Sequence, residues 1–159
     1  MALKGIKAIK DCVEVFFSDN NWDLNSRMAP DFCYLHDSNT VCWTLVASKL
    51  RCDEFAEFFE QMGCVVKADI FIYSLLHEVG HAFTIEELSD MDWNYSQDRK
   101  ASGELSMEEY LRLPDELAAT KWAVEYLNTH IDLVERFYRE LQTAIMNMYK
   151  LNHIEIENT

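Results

Sequence analysis

Residues 68–83, ADIFIYSLLHEVGHAF, constrain the fold more than any other stretch, because a run this long and this apolar reads as a helix buried in the interior. At helical spacing Phe71, Leu75, Val79 and Phe83 fall on one side, and Tyr73, His77 and His81 on another. A buried helix needs neighbours, and the flanking sequence supplies them. Ile6, Ile9, Val13, Phe16 and Phe17 form one stripe of an amphipathic first helix that ends near Ser18-Asp19-Asn20-Asn21. DFCYLHDSNTVCWTLVAS (32–47 within it) has aromatic and β-branched runs around Asp37-Ser38-Asn39-Thr40, which predicts a hairpin of two strands. Phe55, Phe58, Phe59 and Met62 repeat at helical spacing and stop at Gly63, a residue suited to a C-terminal cap, and Val65-Val66 reads as a short third strand.

Further on, residues 89–103 are polar and lack sustained periodicity, so they read as a long surface loop. Pro114 fits a first helical position, with Asp115 and Glu116 favourable in the first turn, and a last helix is expected from Ile131 to Leu151. Residues 1–159 therefore read as one α+β domain, with a small, mostly antiparallel sheet beside four or five helices.

Composition narrows the partners. Against 14 basic residues stand 28 acidic ones, a formal net charge of −14, and such a surface repels phosphate backbones and anionic headgroups. Nucleic acid and membranes are not expected partners; a basic peptide or protein would be attracted, although an acidic surface also serves solubility alone. Cys12, Cys33, Cys42, Cys52 and Cys64 are odd in number and show no CxxC spacing, so reduced core thiols are expected rather than a disulfide framework or a cysteine zinc knuckle. The N-terminal segment MALKGIKAIKDCVEVFF has no uninterrupted apolar core and no later stretch reaches a membrane-spanning length, which together predict a cytoplasmic protein.

The chemistry is concentrated in HEVGH at 77–81. Two imidazoles four residues apart stand one helical turn above each other and can chelate one ion. Glu78 lies about 100° round the helix, where it reaches a water rather than the ion. Zinc would lower the pKa of that water toward ~7, Glu78 would take its proton, and a carbonyl polarised by the same ion would be attacked. Gly80, between the histidines, permits close approach of another backbone or a ligand. A catalytic zinc needs a third protein ligand, and no third histidine is near: the next are His130 and His153. A carboxylate from another helix is the natural candidate. Glu116 opens the helix DELAATKWAVEYL, whose Ala118, Ala119 and Ala123 allow close packing on the histidine helix. By its position alone, Glu116 could equally be a first-turn acid favoured by the helix dipole.

HEVGHAF together with ELAATKWA resembles the gluzincin peptidases, and more narrowly the intracellular family typified by ImmA and IrrE of mobile elements and stress responses. The length is similar to that of the minimal single-domain minigluzincins. The resemblance spans about residues 32–127 and is specific only in the two helices. It implies a zincin-like fold, zinc as cofactor, a peptide or protein substrate, and Glu116 as third ligand in the family's E-x-x-A-N-x-F-A helix, where Ala119, Trp122 and Ala123 match and Thr120 stands for the Asn. VEYLNTH replaces the apolar segment with Pro that often follows, and no helix-turn-helix segment is present. The expectation is a zinc-dependent peptidase with His77, His81 and Glu116 as ligands and Glu78 as base. Its rival is a catalytically silent zinc-binding interaction protein, against which Glu78 and the open fourth position argue. Peptide deformylase also carries HExxH, but its cysteine ligand lies in an EGC motif, a setting Cys33 and Cys42 lack. For the oxyanion donor, Tyr73 and Tyr95 offer phenolic hydroxyls with a plain aromatic role as the alternative. His130 could reach the site only if the chain turned near Asn128.

Overall fold

The computed structural model describes residues 2–45 and 49–155, without the side chains of 49–52. The end of the predicted hairpin beyond Leu45, and Cys52, lie outside that description. In chain order the elements are α1 (Ile6–Asp19), β1 (Asn25–Met28), β2 (Cys33–Leu35), β3 (Thr40–Trp43), α2 (Lys49–Gln61), α3 (Ile70–Thr84), a 3₁₀ turn (Ile85–Glu87), α4 (Asp90–Ser102), α5 (Met107–Leu111), α6 (Pro114–Thr129) and α7 (Ile131–Leu151). The mixed α+β class stands.

α3 lies at the centre. Phe71, Ile72, Leu75, Leu76 and Val79 are buried on it, each worth about 1.5–3 kcal/mol relative to exposure. Its start is set by Asp69, whose side chain accepts from the Phe71 N–H at 2.8 Å. α6 runs along one side of α3, where Ala119 and Ala123 are fully buried. β3, buried along its whole length, packs on another side. α1 and α7 pair through Ile9, Val13 and Phe16 against Val134, Phe137 and Leu141, with the Phe16 and Phe137 rings stacked at 4.2 Å.

The hairpin is as its turn residues predict: β2 and β3 are antiparallel, with Cys33 opposite Cys42 and Asn39 taking the left-handed conformation at φ 49°. Helices ending at Asp19 and before Gly63, and a last helix over Ile131–Leu151, also agree with the reading.

Several expectations are corrected. Seven α-helices are present among the described residues, not four or five. The sheet is mixed rather than mostly antiparallel, because β1 joins β3 in parallel in the order β1-β3-β2. Val65-Val66 forms no strand; the third strand is Asn25–Met28, a largely polar segment that pairs in parallel with β3. Residues 89–103 are not a loop but α4 with its flanking caps. Ser89 Oγ accepts from the Asp92 N–H at 3.1 Å, Asp90 and Asp92 sit in the first turn, Arg99 and Lys100 in the last, and Gly103 closes it at φ 70°. Cys12, Cys33, Cys42 and Cys64 carry no disulfide, and no described helix is long and apolar enough to cross a membrane.

Candidate metal centre

His77 and His81 project from successive turns of α3 toward the first turn of α6. His77 Nε2 lies 2.8 Å from Glu116 Oε2, and His81 Nε2 lies 3.3 Å from the same oxygen. These three side chains form the one group among the described residues whose donor atoms converge closely enough to hold a metal ion, all within 4.8 Å of one another. Glu116, and not Asp115, is the carboxylate brought against the two histidines, while Asp115 Oδ2 pairs with Lys100 Nζ.

Close helix packing makes the convergence possible. A Cβ on Gly80 would lie 2.4 Å from the carbonyl oxygen of Ala119, so the α3 backbone rests directly on α6. That approach brings Glu116, one turn before Ala119, against the two imidazoles.

Proton bookkeeping constrains the occupant. The Thr120 hydroxyl donates to the Glu116 carbonyl at 3.0 Å, so at 3.1 Å it accepts from His77 Nδ1–H. With its proton on Nδ1, a neutral His77 presents a bare lone pair at Nε2, yet that atom faces a carboxylate oxygen at 2.8 Å. Two acceptors cannot share that gap; a cation, either a proton or a metal ion, belongs there. Thr120 is fully buried and thus orients the ring as an outer partner of a ligating histidine does. Phe55 of α2 meets the same ring edge-on at 5.3 Å.

The electrostatics agree. Burial disfavours the Glu116 charge, but the contacts with His77 and His81 outweigh it and hold the carboxyl well below the usual range. Burial likewise works to lower His81, and the Glu116 contact overrides it and raises the imidazole. Glu78 is pushed above its ordinary value by burial, with the Glu116 charge adding and the two histidines opposing. Glu78, Asp115 and Glu116 line a cavity of about 560 Å³ in which Lys100 is the one ammonium among the described residues, and a divalent cation would offset that imbalance. Among the described residues no hydrogen bond or ion pair engages the Glu78 carboxylate. Phe32, Cys33 and Tyr34 wall the cavity on the β2 side, and β2 is an edge strand of the sheet.

The other candidates are elsewhere. The Tyr73 hydroxyl donates to the Val66 carbonyl at 3.0 Å and accepts from the Ala68 N–H at 3.1 Å, a structural brace. Tyr95 is 54% exposed on α4 and does not line the cavity. The chain does turn at His130, but its ring stacks on Tyr126 at 4.3 Å, away from the histidine pair. Three contributors lie outside the sequence reading of the site: Tyr110 lines the cavity from α5, Thr120 meets His77, and Lys100 falls in the stretch that reads as a loop. The signal for Lys100 was available in the caps and end charges of α4. No protein-family model, no curated protein and no solved structure matches this chain.

Proposed function

We propose that this chain hydrolyses peptide bonds with a zinc ion bound by His77, His81 and Glu116 and with Glu78 as general base. The observation that carries the reading is the convergence of two imidazole nitrogens and one carboxylate oxygen beside a cavity that also receives Glu78. Two histidines and a glutamate are a donor set suited to catalytic zinc, which keeps three protein ligands and one open position. Such an ion would polarise a carbonyl and acidify a water. His77 is oriented for ligation by Thr120, and Glu78, without a hydrogen-bonded partner among the described residues, is available to take and return a proton. An extended peptide can pair with the outer edge of β2, an end strand of the described sheet, and Asp31 and Glu78 in the cavity wall favour basic side chains. The likeness to intracellular gluzincins points the same way, and thiols without disulfides suit the reducing cytoplasm.

The test compares the zinc-loaded parent with the Glu78→Gln, His77→Ala and His81→Ala variants on a peptide library rich in basic residues. Elemental analysis should find one zinc per chain in the parent and in Glu78→Gln, and most of it lost in either histidine variant. Glu78→Gln should keep the parent's thermal stability while hydrolysis falls by a factor of about 10² to 10⁴. Absence of bound metal after reconstitution, or equal hydrolysis by Glu78→Gln with its zinc intact, overturns the mechanism. A zinc-loaded parent that cleaves neither basic nor neutral libraries supports the silent binding protein instead.

A further inference from the structure

Building on the metal reading, we propose that Lys100 is a positioning residue that occupies one oxygen of Glu116, so that this ligand offers the ion Oε2 alone. The two oxygens of Glu116 already have separate tasks. Oε2 faces the histidine nitrogens at 2.8 and 3.3 Å, and Oε1 accepts from Lys100 Nζ at 2.7 Å. A carboxylate with both oxygens free can close on a cation from both sides. An ammonium bonded to one of them blocks that mode through a charge-assisted hydrogen bond and repels a divalent cation from that side.

A lysine held only at its tip would wander, and here three elements fix it. It stems from the last turn of α4, its Nζ also pairs with Asp115 Oδ2 at the start of α6, and it lies over the Tyr110 ring of α5 at 5.2 Å. Asp115 is only 3% exposed, so the bridge is anchored on a buried carboxylate, while the Lys100 side chain is 24% exposed at the cavity wall. The C-terminal turn of α4 meets the N-terminal turn of α6 here, so the helix dipoles favour the ammonium and the carboxylates where they stand. Asp115 alone would satisfy a structural lysine. The second contact, to the ligand's far oxygen, ties Lys100 to the count of donor atoms around the ion.

Cobalt(II) reports that count, because its visible absorption weakens as donors are added. Lys100→Met keeps the stem but leaves Asp115 buried and unpaired, which can unfold the chain; the double variant Lys100→Met with Asp115→Asn removes both charges of that pair and keeps Glu116. The parent should bind one cobalt ion with an intense band. In the variants, binding at one ion per chain should persist while the band loses about twofold or more in intensity, as Glu116 closes on the ion with both oxygens. An unchanged band in a folded variant overturns the inference alone, and so does loss of cobalt binding by a folded variant, since a released carboxylate should chelate at least as well. A parent that takes up no cobalt overturns the metal reading itself and this inference with it.

Discussion

Replacing Gly80 by alanine tests whether the candidate metal centre depends on backbone contact between α3 and α6. On helix propensity alone the change should stabilise α3 by about 1 kcal/mol. Against this, the new Cβ would stand 2.4 Å from the Ala119 carbonyl oxygen and 3.0 Å from its Cα. Both neighbours are backbone atoms of a buried helix and cannot swing aside. Restoring even a tight contact near 3.0 Å requires the helices to part by about 0.6 Å. Overpacking of this kind typically costs 1–3 kcal/mol, and a clash with backbone belongs at or above the upper end. After the propensity gain, a net loss of about 2 kcal/mol remains, or about 4–8 °C in Tm for a chain of this size. The site should suffer with the fold, because Glu116 rides on the displaced helix while His77 and His81 do not. A shift of that size opens the 2.8 Å contact between His77 and Glu116. Thermal unfolding with and without zinc, combined with a zinc affinity measurement, reads both effects. If Gly80→Ala is as stable as the parent and binds zinc as tightly, the helices are not held by this contact and the account of the site's assembly is wrong.

Thr120→Val should weaken zinc binding about 10- to 100-fold while leaving one ion per chain at saturation, since His77 Nδ1–H loses its acceptor; an unchanged Kd by competition titration would show that Thr120 does not orient the ring. Burial, helped by the neighbouring Cys42 thiol and the Glu78 charge, pushes the Cys33 thiol up to about 11. Because the thiolate is the reactive form, alkylation of Cys33 followed by mass spectrometry should rise about tenfold per pH unit from pH 7 to 10, and a plateau below pH 9 would contradict this. Ser89→Ala removes the cap of α4 and should lower stability by about 1 kcal/mol, seen as a drop of about 2–4 °C in Tm, whereas no change would mean that the Ser89 cap contributes nothing.

Features written in local chemistry were legible before the structure. The apolar run around His77 and His81 could only be a buried helix, the Asp-Ser-Asn-Thr turn marked the hairpin, and Pro114 marked the start of the Glu116 helix. Even Gly80 and the alanines of α6 announced a close helix pair, which the Gly80–Ala119 contact bears out. β1 was unreadable for the opposite reason. NSRM has no strand character of its own and is ordered by a parallel partner that the linear pattern does not display. α4 defeated a reading based on apolar periodicity because Ser96 is its only fully buried residue; its evidence lay in caps and terminal charges instead. Lys100 followed it into obscurity. The role of Thr120 depends on which ring nitrogen of His77, on another helix, needs an acceptor, a question only the folded contact between α3 and α6 poses.

The two halves of the candidate metal centre are far apart in the chain, and everything between them, α4 and α5 included, leaves from the helix of the two histidines and returns at the helix of Glu116. That excursion builds one wall of the cavity through Trp93, Gln97, Lys100 and Tyr110, while the donors stay on the elements it connects. Its bend at 103–106 is exposed apart from a half-buried Leu105, and added closure entropy grows only logarithmically with length. Insertions there would therefore reshape the cavity wall without disturbing the histidines or Glu116, giving a route by which descendants of this chain could vary the cleft while inheriting the same donor set.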